Sequence, residues 1–288
     1  MNLLGEALMK DNLKAAAAAD SAIISFPFIP LEGVHLQAFD TKTTQAEIHE
    51  LLEKARKERL SSRLAYIYNQ IPANDCQRCG DCCFNCAQVY PTEFLNVYDH
   101  ILSLNELAQA RLAERLIEYE LLNLVTLEVK CPFLEGVDCV LYERRPFQCR
   151  TFGLYATDEY QNMVDDSREK NKQLAKYYAR NNHLKLSQEV MTYDVDQCEN
   201  NFDKEGGLVI LGRPERERFH EQIFACGDDM LSDDWSSSDQ ACFSTQFALL
   251  LYDEKSLGDL RIKIMREFQS GGKRTTLDKV LTSSGLKF

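Results

Sequence analysis

The sequence predicts a mainly α fold with irregular loops and at most a small β element. Three observations carry that expectation: apolar residues recurring at helical spacing behind capping signatures, a cysteine-dense stretch framed by those helices, and a single short strand-like run. Thr44-Gln45-Ala46-Glu47 has the form of a capping box, and Ile48, Leu51, Leu52, Ala55, Leu60, Leu64 and Ile67 then follow a helical repeat as far as Pro72. Pro91-Thr92 starts a short helix, and a second box, Ser103-Leu104-Asn105-Glu106, opens another through about Leu122. From Lys130 to Phe152 two prolines, a glycine and no sustained period predict irregular structure. Further helical stretches are expected near 166–182, 214–225, 239–252 and 256–268. The one strand candidate is Gly206 to Gly212, an apolar run bounded by glycines, and it lacks the glycine-rich turn into a helix of a dinucleotide fingerprint. The expected division is an N-terminal helical region (1–71), a cysteine-rich domain (72–155) and a mainly helical C-terminal region (156–288).

A chain of 288 residues with 44% hydrophobic content can bury a core without covalent staples, so its eleven cysteines need another explanation than disulfide scaffolding. An odd number cannot all pair within one chain. The N-terminal stretch mixes charges before any apolar run, and no stretch approaches ~20 apolar residues, so the expectation is a cytoplasmic protein that does not enter a membrane, with reduced thiols. The net charge of −12 repels phosphate backbones, which argues against nucleic acid as a partner. The densest basic strip, Lys54 to Arg59, alternates with leucines at helical spacing and reads as a solvated helix face.

Five cysteines occupy the thirteen positions from Asn74 to Cys86: Cys76, Cys79, Cys82, Cys83 and Cys86. Two-residue gaps let successive sulfurs turn toward one centre, as in zinc and iron-sulfur knuckles. Cys82 and Cys83 are adjacent, and neighbouring side chains in irregular backbone diverge, so one mononuclear site would struggle to use both. Cys131, Cys139 and Cys149 are too far apart to form a knuckle and make sense as ligands completing sites begun upstream, with Cys198 as an eighth. Arg144, Arg145 and Arg150 crowd the last of these and would favour thiolate over thiol, or else face water and pair with Glu143.

Other readings of the run fit less well. Cys76, Cys79, Cys82 and Cys86 match the ferredoxin spacing, but Ala87 follows where proline is expected and no second run exists. A thioredoxin-like dithiol would need a βαβ context, and a zinc ribbon would separate its knuckles by ~15 to 20 residues. The five histidines are scattered, those at 49 and 220 reading as surface or packed residues, and Cys226 and Cys242 sit among apolar neighbours as core residues.

Cys76-Gln77-Arg78-Cys79-Gly80-Asp81-Cys82-Cys83, followed by Cys131-Pro132-Phe133-Leu134, then Cys139 to Tyr142, and Pro146-Phe147-Gln148-Cys149-Arg150-Thr151-Phe152, resembles the YkgJ-type CxxCxxCC family of zinc- or iron-chelating proteins. The resemblance covers about residues 72 to 155 and implies Cys76, Cys79, Cys82, Cys83, Cys131, Cys139 and Cys149 as ligands; Cys86 is outside its pattern. A related arrangement in flagellin lysine N-methylases suggests that a protein-modifying enzyme, an oxidoreductase or methylase, could be built on such a centre.

The expectation is therefore a metal-binding protein holding iron, an iron-sulfur cluster or, alternatively, zinc, with a redox or metal-handling role and an unidentified protein partner or substrate. The sulfur crowding favours a polynuclear centre over one tetrahedral zinc. The alternatives are an iron-dependent protein-modifying enzyme, with an open metal position beside a pocket, and a structural zinc interaction module with saturated coordination and no cleft. Metal binding is expected to order residues 130–152.

Overall fold

The computed structural model describes residues 45–73, 76–198, 206–227, 231, 241–283 and 288. Helices dominate them, with two small antiparallel two-stranded sheets, so the mainly α expectation holds. Helices α1 (Gln45–Lys57) and α2 (Leu60–Tyr68) replace the single expected helix. Ile48, Leu52 and Ala55 face the core at i, i+4 and i+7, and Leu60, Leu64 and Ile67 repeat that spacing one residue out of phase. Arg59, at φ 55°, absorbs the shift in a left-handed turn that lets both stripes face inward. The strip from Lys54 to Arg59 is exposed apart from Ala55, as a solvated face should be. Thr44 of the first capping box and His35 lie outside the described residues.

The cysteine run follows α2 and leads through β1 (Gln88–Val89) into α3 (Pro91–Leu102) and α4 (Glu106–Leu122). The second box is corrected by two residues: Asn105 is the N-cap, its side chain accepting from the Ala108 amide at 3.0 Å, while Ser103 ends the preceding helix and donates to the His100 carbonyl. Asn is as good a cap as Ser, and the shorter spacing leaves room for the turn between α3 and α4.

Residues 130–152 form a hairpin of β2 (Leu134–Glu135) and β3 (Asp138–Cys139), a short 3₁₀ turn at Tyr142–Arg144 and the one-turn helix α5 (Phe147–Thr151). Gly136 takes the hairpin turn at φ 64°. The C-terminal part comprises α6 (Thr157–Asn182), α7 (Gln188–Thr192), α8 (Arg213–Ala225), β4 (Ala241–Cys242), α9 (Phe243–Leu249), α10 (Glu254–Gln269) and α11 (Thr275–Ser283). Of the stretch expected from 239 to 252, the described residues are helical only over α9, because β4 pairs with β1 just before it.

The strand expected at 206–212 does not form. Leu208 makes an isolated bridge and is 59% exposed, as Ile210 is 44% exposed, and only Leu211 is buried, its amide donating to the Leu154 carbonyl at 2.7 Å. An apolar run becomes a strand only where a second strand runs along it, and here the run makes an isolated bridge at Leu208 and is anchored at Leu211.

One large core draws side chains from α1 to α4, the hairpin, α5 and α8 to α11. Phe243 of α9 stacks on Phe94 of α3 at 4.6 Å and meets Phe133 edge-on at 5.1 Å, which joins the C-terminal helices to the back of the cysteine loops. Glu120 on α4 is fully buried, accepts from the Ser244 and Thr245 hydroxyls of α9, and is ion-paired with the buried Arg261 of α10. Three helices are thereby fixed around one satisfied charge pair.

Candidate metal centre

The segment from Cys76 to Gly80 has no regular structure, and Gly80 at φ 81° turns it into the 3₁₀ turn Asp81–Phe84 that carries Cys82 and Cys83. The Cys83 carbonyl then accepts the Cys131 amide at 2.9 Å. That backbone bond ties the first cysteine stretch to the second, 48 residues on in sequence. Cys139 follows at the end of the hairpin, where it pairs with Leu134. Cys149 comes from α5, whose first amide, that of Phe147, donates to the buried Glu93 carboxylate at 2.6 Å. Glu93 also accepts from the Tyr68 hydroxyl and the Tyr90 amide, so α2, α3 and α5 share one buried acceptor beneath Cys149.

All eight sequence-predicted ligands reach one cavity of about 1000 Å³. Cys76, Cys79, Cys82 and Cys83 come from the first stretch, and Cys131, Cys139 and Cys149 from the second. Cys198 arrives with the loop after α7, where Tyr193 stacks on Phe84 at 4.0 Å. Cys86 joins the wall as a ninth sulfur, fully buried. None of the eleven cysteines is in a disulfide. Cys226 and Cys242, expected in the core, are buried and off the cavity wall.

The sulfurs gather around a space and do not yet converge on a point: among the described residues, no three His, Cys, Asp or Glu side chains stand close enough to hold an ion between them. Thiols meet in pairs instead. Cys82 is hydrogen-bonded to Cys83 and Cys131 to Cys86, contacts that, with burial, push the Cys82 and Cys131 thiols well above the ordinary range. Burial does the same for Cys149 and Cys139, with neighbouring cysteines adding to it. Such thiols are protonated at neutral pH, and a cation entering the cavity must displace those protons.

The three arginines divide. Arg145 points to the sulfurs, its Nη1 at 3.9 Å from Cys76 Sγ and its guanidinium 3.8 Å from the Tyr142 ring centre. Arg78, at φ 54°, lies over the same ring at 3.9 Å, so Tyr142 is held between two cations at the cavity wall. Arg144 turns away to Ser61 and Asn96 Oδ1, at 3.0 Å from the latter. Arg150 lies over Tyr68 and donates to the Arg145 and Glu143 carbonyls, pinning the loop.

The donor set, soft sulfur in excess with cationic side chains beside it, suits zinc or iron.

Residues 75–176 match the CxxCxxCC family, described as "Putative zinc- or iron-chelating domain".

The match takes in every cysteine from 76 to 149 and runs into α6, while Cys198 lies beyond it. No curated protein and no solved structure matches the chain. The CxxCxxCC segment thus contributes most of the cavity wall, and the loop after α7, with Leu208 and Phe243, closes the rest. The reading from sequence missed Cys86 as a wall residue, although its place within the thirteen-residue run was a signal. It also missed Tyr142 and Tyr193, ordinary tyrosines whose roles depend on which loop faces them. No helix among the described residues is long and apolar enough to cross a membrane.

Proposed function

We propose that the cavity holds iron, as an ion pair or an iron-sulfur cluster, through Cys76, Cys79, Cys82, Cys83, Cys131, Cys139, Cys149 and Cys198, and serves a redox or metal-handling role. The observation that carries the reading is the meeting of sulfurs from three separated stretches on one cavity wall. Its size favours more than one closed tetrahedral ion, which fills far less than about 1000 Å³ and uses four ligands. When bound, such a centre would supply electron transfer or Lewis acidity. The chain's own part is to bring the thiols together, to neutralise their charge with Arg145 and to hold Cys149 through the Glu93 anchor. The irregular 76–80 loop is the element free to draw its sulfurs inward, since Cys83, Cys131 and Cys149 are fixed by backbone bonds or helix.

The same cavity volume lies at the upper end of the range for small-molecule sites, which favours a reaction beside the metal over a structural zinc module as second reading. Anaerobic purification with metal, acid-labile sulfide and visible-absorption analysis tests the proposal. Coloured protein with more than one iron per chain is the expected result, and colourless protein with stoichiometric zinc and no sulfide would defeat the iron assignment.

A further inference from the structure

We infer that Cys86 is a metal-ligating thiol that works as a pair with Cys131 on the floor of the cavity, toward a thiophilic divalent cation. The inference deepens the proposed function and rests on it. Cys86 lies outside the spacing that defines the CxxCxxCC motif, and a buried cysteine is usually a small apolar filler. Three features set it apart from a filler. Its side chain lines the cavity and is hydrogen-bonded to the thiol of Cys131, a motif cysteine from the other stretch. Its backbone is held on both sides, the amide donating to the Tyr119 hydroxyl at 3.0 Å and the carbonyl accepting from Cys242 Sγ at 3.4 Å. Cys131 is held in turn by its amide bond to the Cys83 carbonyl.

Two sulfurs from distant stretches are thus fixed side by side, and a cation that displaces the protons of both thiols would meet a pair that needs little rearrangement. The Tyr119 hydroxyl that accepts from the Cys86 amide is itself buried beside the pair. Cys226, likewise buried, does not line the cavity, which makes it the matched control.

The test titrates zinc into reduced, metal-free protein under anaerobic conditions, with a chromophoric chelator as competitor. Cys86→Ser is expected to lose one bound equivalent or to weaken binding by well over about 100-fold, beyond the ~10- to 100-fold that a hydrogen-bonding partner of a ligand contributes. Cys226→Ser should stay within a few-fold of the parent protein. Thermal melts of the metal-free variants report whether each is folded. A measurement on the unaltered chain covers the case in which Cys86→Ser does not fold: loaded with cadmium-113, the Cys86 Hβ protons should show coupling to the metal. Parent-like binding by folded Cys86→Ser, or couplings to motif cysteines with none to Cys86, would overturn the inference and leave the proposed function standing. An unaltered protein that binds neither zinc nor cadmium would overturn both.

Discussion

Acidification should loosen the support of the cysteine cavity through His220. This histidine, on α8, is 6% exposed; its Nδ1 lies 2.6 Å from the Tyr90 hydroxyl, and its ring packs edge-on against Phe147 at 4.7 Å. Burial, with the nearby Arg216 charge, lowers its pKa from 6.5 to about 4. The unfolded chain therefore takes up a proton near pH 6.5 that the folded one refuses until about pH 4. The stability that neutral His220 contributes is complete above pH 6.5 and is lost as the pH falls toward 4. A gap of about 2.5 pH units is worth roughly 3 kcal/mol at ~1.4 kcal/mol per unit. Because Phe147 begins the helix that presents Cys149, the loss should be felt at the cysteine cavity as well. Urea denaturation of reduced protein at pH 7, 5.5 and 4, for the parent chain and His220→Gln, isolates the effect, since other titrating groups act equally in both. The variant should lose about 3 kcal/mol less than the parent between pH 7 and pH 4. Parallel stability curves would refute the assignment.

Other expectations follow from the same contacts. Arg261→Ala strands the fully buried Glu120 carboxylate and should destabilise the protein by about 3 to 5 kcal/mol in urea denaturation. Glu93→Ala removes the acceptor for the Phe147 and Tyr90 amides and the Tyr68 hydroxyl; a loss of at least about 3 kcal/mol and faster alkylation of Cys149 should result. Gly80→Ala forces a Cβ into φ 81°, and a cost of about 1 to 2 kcal/mol should be accompanied by weaker metal retention. Since the raised Cys82, Cys131 and Cys149 thiols must lose protons to bind metal, apparent affinity should climb between pH 6 and 8, about tenfold per unit for each proton released, as read by chelator competition.

Much of this architecture was legible because its signals are local. Helical repeats and cap signals located the helical segments that become α1 to α4 and α8, and the spacing of the cysteines pointed to the sulfurs that line one cavity. The features that escaped depend on tertiary neighbours. The break at Arg59 was present in the sequence as a five-residue step from Ala55 to Leu60, yet only a core on one side makes that step intolerable in a continuous helix. Asn105 and Ser103 are both good caps, and the length of the turn decides between them. The 206–212 run has the composition of a strand but makes only an isolated bridge, at Leu208. Arg144 and Arg145 are indistinguishable as letters, and the 3₁₀ turn at Tyr142–Arg144 sends one to Asn96 and the other to Cys76.

The claim on which the account stands is that cysteines far apart in the chain bind one inorganic centre. Metal-edge X-ray absorption on anaerobically purified protein, with Cys82→Ser and Cys149→Ser beside it, examines this most directly. The account predicts a coordination shell dominated by sulfur at about 2.3 Å, diminished by either substitution although the two residues are 67 positions apart. A shell of nitrogen and oxygen, or one that a substitution in only one of the two stretches can alter, would contradict it.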